Sequence, residues 1–225
     1  MDVGLSLDIG QKKKIFVKSL LKWSKKHLAT YPWRRTKDPY HILMAELMLQ
    51  RTKADQVAGI YSAFLEKFPS ASVLAGSEIA DIHSSISSLG LAYRETRLKN
   101  IAESLTLKYS GKVPKSKDDL LALDGVGNYI ACAVECFAFN QDVAVVDANI
   151  IRILARVFSL ELSSDSHKRK EVWNFVQSLV PHKAAKTFSW AMIDIGRTVC
   201  TQKNPRCGVC PLRTFCDFAC YAESQ

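Results

Sequence analysis

The sequence predicts an all-α protein, and three observations lead to that fold class. Apolar residues recur at helical spacing along most of the chain, first in residues 14–28 among lysines. Turn and cap residues separate these segments, as at Asp38-Pro39, where proline suits the first turn of a helix. Strand-like alternation is scarce, and the only β-branched run, residues 143–146, is short.

The elements follow in order. The apolar positions of the first helix are Ile15, Phe16, Leu20, Leu21 and Leu28. Tyr31-Pro32-Trp33 ends it, because proline disfavours helix in the preceding residue. The second helix opens at Asp38-Pro39 and carries Ile42, Leu43, Leu47 and Leu49, with Glu46 among them. Further helices are expected over residues 54–67, 71–75, 78–87, 94–109 and 117–123.

Length and composition indicate one large or two small globular domains. The chain has 225 residues, 48% of them hydrophobic and 24% charged, which excludes a disordered or fibrous protein. No apolar run approaches the roughly 18 residues of a membrane span, and the acidic N-terminus does not resemble a secretion signal. A soluble, intracellular protein is expected. Its net charge of +9 fits a polyanionic partner, although a merely soluble basic surface is an equal alternative.

The cysteines predict a metal site near the C-terminus. Cys200, Cys207, Cys210 and Cys216 have the spacing C-x6-C-x2-C-x5-C. Without a secretion signal, such a cluster indicates metal ligands before it indicates disulfides. Zinc and an iron–sulfur cluster both remain open, but a single C-x2-C pair favours iron–sulfur. The remaining cysteines, Cys132, Cys136 and Cys220, are expected to take no part.

A glycine-containing turn interrupts the helices at residues 121–129. Gly125 and Gly127, separated by Val126, permit a tight turn between two helices and leave backbone N–H groups unobstructed. The N-terminus of the following helix adds its own N–H groups and dipole, which suit a phosphate. A plain interhelical turn is the alternative.

A carboxylate stands at the start of another helix. Asp147 precedes an apolar run that begins at Ile150, so it suits a helix N-cap. Capping alone would explain this position. The functional interpretation is a carboxylate that the helix N-terminus keeps ionised.

Together these motifs resemble the helix-hairpin-helix DNA glycosylases of the endonuclease III type. The resemblance rests on the hairpin at residues 123–127, on Asp147 and on the four-cysteine cluster, and it runs from about Ile15 to Cys216. It implies two helical domains with DNA in the groove between them. Residues 30–141 would form a six-helix domain with the hairpin. Residues 1–29 and 142–225 would form the domain that carries a [4Fe-4S] cluster on the four cysteines.

Within the family, the chain is more similar to the mismatch-specific thymine glycosylases than to the adenine glycosylases. It shares Pro32-Trp33-Arg34, Asp38-Pro39-Tyr40, Tyr129 and the string at residues 146–149 with the thymine branch. Bifunctional members carry a lysine at the position of Tyr129. Adenine glycosylases share Pro32-Trp33 and residues 46–50, but they carry an additional C-terminal domain, and this chain stops nine residues after Cys216. Asp124 and Asn128 depart from the family's usual proline and basic residue.

The resemblance assigns roles to individual residues. Asp147 is expected to stabilise the sugar cation, Glu46 to bind the extruded base or manage a proton, and Tyr129 to contact that base. Gln50 and Arg51 match the wedge that enters the vacated stack, and DNA contacts are expected from Gly125, Val126, Gly127 and Asn149. The alternatives are a salt-bridged helix residue for Glu46, a packing residue for Tyr129 and a surface charge for Arg51.

The predicted function is therefore monofunctional removal of thymine or uracil mispaired with guanine, with adenine opposite guanine or 8-oxoguanine as the alternative. The enzyme is expected to be a nucleoid-associated, cytoplasmic monomer that acts on double-stranded DNA. Two other classes remain, a non-catalytic iron–sulfur DNA-binding protein and a zinc-stapled binding module. The presence of Asp147 argues against the first.

Overall fold

The computed structural model describes residues 8–90 and 93–222, and within them all regular structure is helical. The prediction of an all-α fold is confirmed. The α-helices are α1 (Ile9–His27), α2 (Pro39–Leu49), α3 (Ala54–Lys67), α4 (Ala71–Gly76), α5 (Ile79–Ile86), α6 (Arg94–Tyr109), α7 (Lys117–Leu121), α8 (Asn128–Phe137), α9 (Ala148–Phe158), α10 (Lys170–Gln177), α11 (Ala185–Thr198) and α12 (Asp217–Ala222). Short 3-10 helices occupy Pro32–Arg34, Ser87–Leu89, Ser164–Lys168, Cys207–Val209 and Arg213–Phe215.

The helix boundaries follow the caps that the sequence carries. Asp38 accepts hydrogen bonds from the backbone N–H groups of Tyr40 and His41 at 2.8 and 3.2 Å, and Pro39 opens α2 as expected. The first helix begins earlier than the apolar pattern indicated, because Asp8 caps it by accepting from Gln11 N at 3.3 Å. Residues 12–14 of α1 are lysines, and they destabilise the helix little because lysine is a good helix former.

The helices form two compact units, each described here by itself. One unit contains the described residues up to Ala29 and those from Asp142 onward, and the other is Thr30–Gln141. No helix in the described part of the chain is long and apolar enough to cross a membrane.

The core of the first unit lies where α1, α9 and α11 pack together. α9 is strongly amphipathic: its inner face is buried, and its basic residues Arg152 and Arg156 lie at the edge of that face. The fully buried side chains of this core include Phe16, Leu20, Ile150, Ile153, Leu154, Phe188, Met192 and Ile195. Burying each such side chain contributes about 1.5–3 kcal/mol, so the position of α9 is firmly held.

The second unit is built around α2. Eight of the eleven residues of this helix are buried, Tyr40 in its first turn and all seven from Ile42 to Met48, so α2 runs through the core rather than over the surface. The hydroxyl of Tyr40 donates to the carbonyl of Phe68 at 3.0 Å. α8 packs against α2 and buries eight of its ten residues. This contact places the hairpin before α8 close to the end of α2.

Candidate DNA-binding and catalytic site

The hairpin joins α7 to α8 through a turn that requires glycine at one position. Gly125 has a φ of +71°, and a Cβ built there would lie 2.4 Å from the side chain of Arg97. Val126 is buried and anchors the turn, and its N–H donates to Leu123 O at 3.1 Å.

Gly127 is the N-cap of α8, and a Cβ there would meet nothing within 4 Å. The space in front of the α8 N-terminus is therefore open to a ligand. The first N–H groups of a helix have no intrahelical acceptors, and together with the helix dipole they favour an anion such as a phosphate. The side chains of Asp124 and Asn128, the two departures from the family pattern, are exposed beside this turn.

Asp147 caps α9, as the sequence indicated. Its Oδ1 accepts from Ile150 N at 2.8 Å, and its Oδ2 accepts from Asn149 Nδ2 at 2.8 Å. Burial raises the pKa of this carboxyl, and these two hydrogen bonds oppose the rise. The sequence predicted only the influence of the helix N-terminus. The structure adds desolvation, which has the larger effect on the pKa because the charged form of a partly buried carboxyl loses part of its hydration.

Asn149 continues a hydrogen-bonded chain inside the first unit. Arg152 Nη2 donates to Asn149 Oδ1 at 2.8 Å and to Gly196 O at 2.7 Å, and Arg152 Nε donates to Cys200 O at 2.8 Å. A Cβ on Gly196 would lie 2.5 Å from the Cβ of Asn149. Asn149 was predicted as a DNA contact, and the structure places its amide between Asp147 and Arg152, where it orients the carboxylate.

Three other predicted residues meet in the second unit. Gln50, Arg51 and Tyr129 line one cavity of about 440 Å³. The remaining lining residues are Leu47, Tyr93, Arg94, Arg97 and Leu98. Gln50 Nε2 donates to Gly125 O at 3.4 Å, so the predicted wedge residue lies against the hairpin. Arg51, with a φ of +54°, is exposed at the end of α2.

Arg94 is a residue that sequence reasoning missed. It is 5% exposed, and its guanidinium donates to Met48 O at 2.7 Å, to Gln50 O at 3.0 Å and to Thr52 Oγ1 at 2.9 Å. These bonds hold the segment that carries Gln50 and Arg51. An arginine in the first turn of a helix gives no sequence signal of this role, since only the tertiary contact with α2 buries it.

Glu46 lies on α2 and is 4% exposed. Its carboxylate is close enough to Tyr61 to contribute to a raised pKa of that phenol, after burial and the charge of Asp38. A buried carboxyl on this helix suits proton management better than a solvated helix residue would. Asp147 and Glu46 belong to different units.

The four cysteines of the predicted cluster line one small cavity in the first unit, whose other walls include Val157, Val199 and Leu212. Burial, with added repulsion from the three neighbouring thiols, raises the pKa of Cys210 to about 11. Arg156 Nη1 contacts Cys200 Sγ at 3.4 Å. Thiols that are partly or fully buried and oppose one another's ionisation fit the cationic iron core of a cluster, which would stabilise the thiolates by direct coordination.

Among the described residues, no group of three or more His, Cys, Asp or Glu side chains is arranged around a single metal ion. A single ion needs ligands that converge on one point, whereas a four-iron cluster takes one thiolate on each iron. Cys132 and Cys136 are buried on α8, which belongs to the other unit. The side chain of Cys220 lies outside the described residues.

Comparison with known proteins defines the class. Residues 44–178 match the HhH-GPD superfamily base excision DNA repair protein family. The chain belongs to the HhH-GPD superfamily of base excision DNA repair proteins. The resemblance inferred from the hairpin, Asp147 and the cysteines is thereby confirmed.

The individual relatives include both thymine/uracil-DNA and adenine DNA glycosylases. The chain is 37% identical over 202 residues to a thymine/uracil-DNA glycosylase of Pyrobaculum aerophilum, covering 88% of each chain. It is 38% identical over 195 residues to an adenine DNA glycosylase of Mycolicibacterium smegmatis, covering 86% of this chain and 66% of the relative. A solved thermostable thymine-DNA glycosylase superposes with a TM-score of 0.89 at 31% identity, covering 94% of this chain and 98% of the other. These findings support the coarser prediction, a DNA glycosylase of base excision repair.

Proposed function

We propose that the protein is a monofunctional DNA glycosylase that removes thymine or uracil mispaired with guanine. The observation that carries this proposal is Tyr129, which lines the same cavity as Gln50 and Arg51. A phenol at this position contacts an extruded base and cannot form a Schiff base with the sugar. The thymine/uracil-DNA glycosylases among the relatives support the same assignment.

The substrate is expected to be held by its phosphates and opened at the mispair. The N-terminus of α8 behind Gly127 binds a backbone phosphate without a charged side chain. Gln50 enters the stack that the base leaves, and Arg51 contacts the backbone beside it. A wobble pair is easier to open than a matched pair, so extrusion itself favours thymine or uracil opposite guanine.

Cleavage of the N-glycosidic bond then passes through a cationic sugar, as in glycoside hydrolysis. The ionised carboxylate of Asp147 stabilises this cation, and its hydrogen bonds from Ile150 N and Asn149 hold it in one orientation. The same carboxylate orients the water that attacks C1′. The base departs with the bonding electron pair and takes up a proton that Glu46 supplies, and the attacking water releases one proton in turn, so the hydrolysis balances.

The cysteines have a structural role in this proposal. Cys200, Cys207, Cys210 and Cys216 would hold a [4Fe-4S] cluster, which would fix the loop that carries Lys203, Arg206 and Arg213 toward DNA phosphates. Arg156 would support that loop, because it also donates to Thr201 O at 2.7 Å and to Gln202 O at 3.1 Å. No step of base removal requires the cluster.

One observation favours a second function, adenine removal opposite guanine or 8-oxoguanine. Glu46 is buried, and a buried carboxyl beside an extruded base suits proton transfer to an adenine leaving group. The chain spans about two thirds of the adenine glycosylase of Mycolicibacterium smegmatis.

Single-turnover base release decides between the two functions. Duplexes of one sequence would carry T·G, U·G, A·G or A·8-oxoguanine at the target pair, with T·A as the matched control and Asp147→Asn as the inactive control. We expect release of thymine and uracil opposite guanine, followed by strand scission only after alkali. Faster release of adenine would assign the second function, and release from none of the duplexes would overturn both.

A further inference from the structure

The cavity beside the hairpin contains two arginines that play different parts. Arg94 is buried, and its guanidinium is occupied by the three acceptors at the end of α2 described above. Arg97, one turn further along α6, is only partly buried and lines the cavity. Its Nη1 donates to Gln50 Oε1 at 3.1 Å. A guanidinium has five N–H donors, so this bond leaves Arg97 able to bind a ligand.

Three neighbours fix the direction of the Arg97 side chain. Its guanidinium lies 5.4 Å from the ring centre of Tyr93. Its Cδ and Nε would each lie 2.4 Å from a Cβ built at position 125, so the side chain uses the space that glycine leaves there. The bond to Gln50 completes the arrangement and also fixes the amide, since Oε1 faces Arg97 while Nε2 faces Gly125 O. A preorganised donor loses little entropy when a ligand binds.

The ligand chemistry follows from the proposed role of Gln50. If Gln50 occupies the space that the extruded base leaves, the partner base presents its pairing edge to Gln50 and to Arg97 beside it. The pairing edge of guanine carries an acceptor, O6, next to a donor, N1–H. Arg97 supplies donors for O6, and Gln50 Oε1 is an acceptor for N1–H. Adenine presents an amino group where guanine has O6, so the same pair leaves donors unmatched.

We propose that Arg97 is a specificity-determining residue, which together with Gln50 binds the pairing edge of the guanine left opposite the extruded base. This inference rests on the proposed function, because it concerns the opposite base of a mispair. Arg51 is less suited to the part: its backbone adopts a left-handed φ at the exposed end of α2.

The test measures single-turnover release of uracil opposite different partners. One duplex sequence would carry uracil opposite guanine, inosine, adenine or 2-aminopurine, and the same strand would also be tested alone. Inosine retains O6 and N1–H, whereas adenine and 2-aminopurine lack both. The variants are Arg97→Met and Arg97→Lys, with Lys108→Met as a control that removes one exposed charge from the same helix.

We expect the wild type to prefer guanine and inosine over adenine and 2-aminopurine. Each Arg97 variant should reduce that preference by about 5- to 100-fold, the effect of one well-formed side chain–base pairing. Release from single-stranded DNA should be unchanged, and Lys108→Met should behave as the wild type. The free energy needed to open each base pair is a property of the DNA. It is therefore the same for the wild type and the variants, and it cancels when their preferences are compared.

Two outcomes would contradict the proposals, and each contradicts a different one. An Arg97 with a purely structural role would slow release from every substrate equally and leave the preference unchanged, which would overturn the inference. Arg97→Lys keeps the charge and helps to preserve the fold, so the same measurement stands if Arg97→Met is poorly folded. Failure of the wild type to release uracil from any substrate would overturn the proposed function itself.

Discussion

At the scale of single residues, one substitution tests the proposed catalytic role of Asp147. Asp147→Asn keeps the oxygen that accepts from Ile150 N but removes the charge that would stabilise the sugar cation. We expect turnover to fall by roughly 10²–10³, the usual loss for a preorganised electrostatic group, with DNA affinity retained. Single-turnover release and equilibrium binding to the same U·G duplex measure the two effects. Unchanged turnover would leave Asp147 as a helix cap only.

The raised pKa of Asp147 also predicts how activity and stability depend on pH. Base release should fall as pH drops through this raised pKa, since only the ionised form stabilises the cation.

The stability of the fold should depend on pH in the opposite direction. Below the ordinary aspartate pKa the carboxyl is protonated in both the folded and the unfolded state, so folding does not require the burial of a charge. As pH rises through the raised pKa, ionisation in the folded state destabilises it. Thermal unfolding of Asp147→Asn against wild type should therefore show a relative gain for the variant that grows as pH rises from the ordinary aspartate pKa through the raised one.

The proposed role of Tyr129 predicts the chemistry that follows base release. Without an amine at this position, borohydride should trap little or no covalent complex between wild-type protein and DNA. Tyr129→Lys should introduce both trapping and strand cleavage, whereas Tyr129→Phe, the matched control, should introduce neither. Efficient trapping by the wild type would show that another lysine reaches the sugar.

At the scale of helices, the close approach of α11 to α9 positions Asn149, which donates a hydrogen bond to the candidate catalytic carboxylate of Asp147. Gly196 on α11 leaves room for Asn149, and a Cβ there would lie 2.5 Å from the Cβ of Asn149. Gly196→Ala must push these helices apart, so we expect a loss of about 1–3 kcal/mol in unfolding free energy together with slower base release. Chemical unfolding and single-turnover assays on the same sample measure both.

Gly59 provides the control for this prediction. It lies on α3 with no atom within 4 Å of a built Cβ, and it is exposed. Gly59→Ala should raise stability by about 0.4–1 kcal/mol, because alanine restricts the unfolded chain without a clash in the folded one. If both substitutions had the same effect, the contact between Gly196 and Asn149 would not be tight enough to position Asp147.

At the scale of the whole molecule, the C-terminal cysteine cluster is expected to support the fold of its unit. Purified protein should be brown and contain about four irons per chain, the content of one [4Fe-4S] cluster. Removal of the iron should lower the unfolding temperature, because four thiols would be left in a cavity built around a cationic group. Iron analysis and thermal unfolding before and after chelation check this. A colourless protein with one zinc would contradict it.

Much of the fold could be predicted because local signals agree with tertiary packing. The segments predicted over residues 54–67 and 94–109 coincide with α3 and α6. Differences occur at the ends of helices: Asp8 extends α1 backward, and α7 ends at Leu121, two residues before the predicted end. Such ends depend on a single cap or turn, whereas the body of a helix depends on a periodicity repeated over several turns.

The sequence by itself determined the all-α class, the family and the glycine turn, and it supplied the candidate site residues, because spacing along the chain encodes each of these patterns. Tertiary structure decided the surroundings of those residues. It buried Arg94 against the end of α2, joined Gln50 to Arg97 across 47 positions of the sequence, and linked Asn149 to the loop of Cys200 through Arg152. It also raised the pKa of Asp147 above what the helix N-terminus alone would give. Contacts and desolvation of this kind depend on which helices pack together, and no local pattern in the sequence records that.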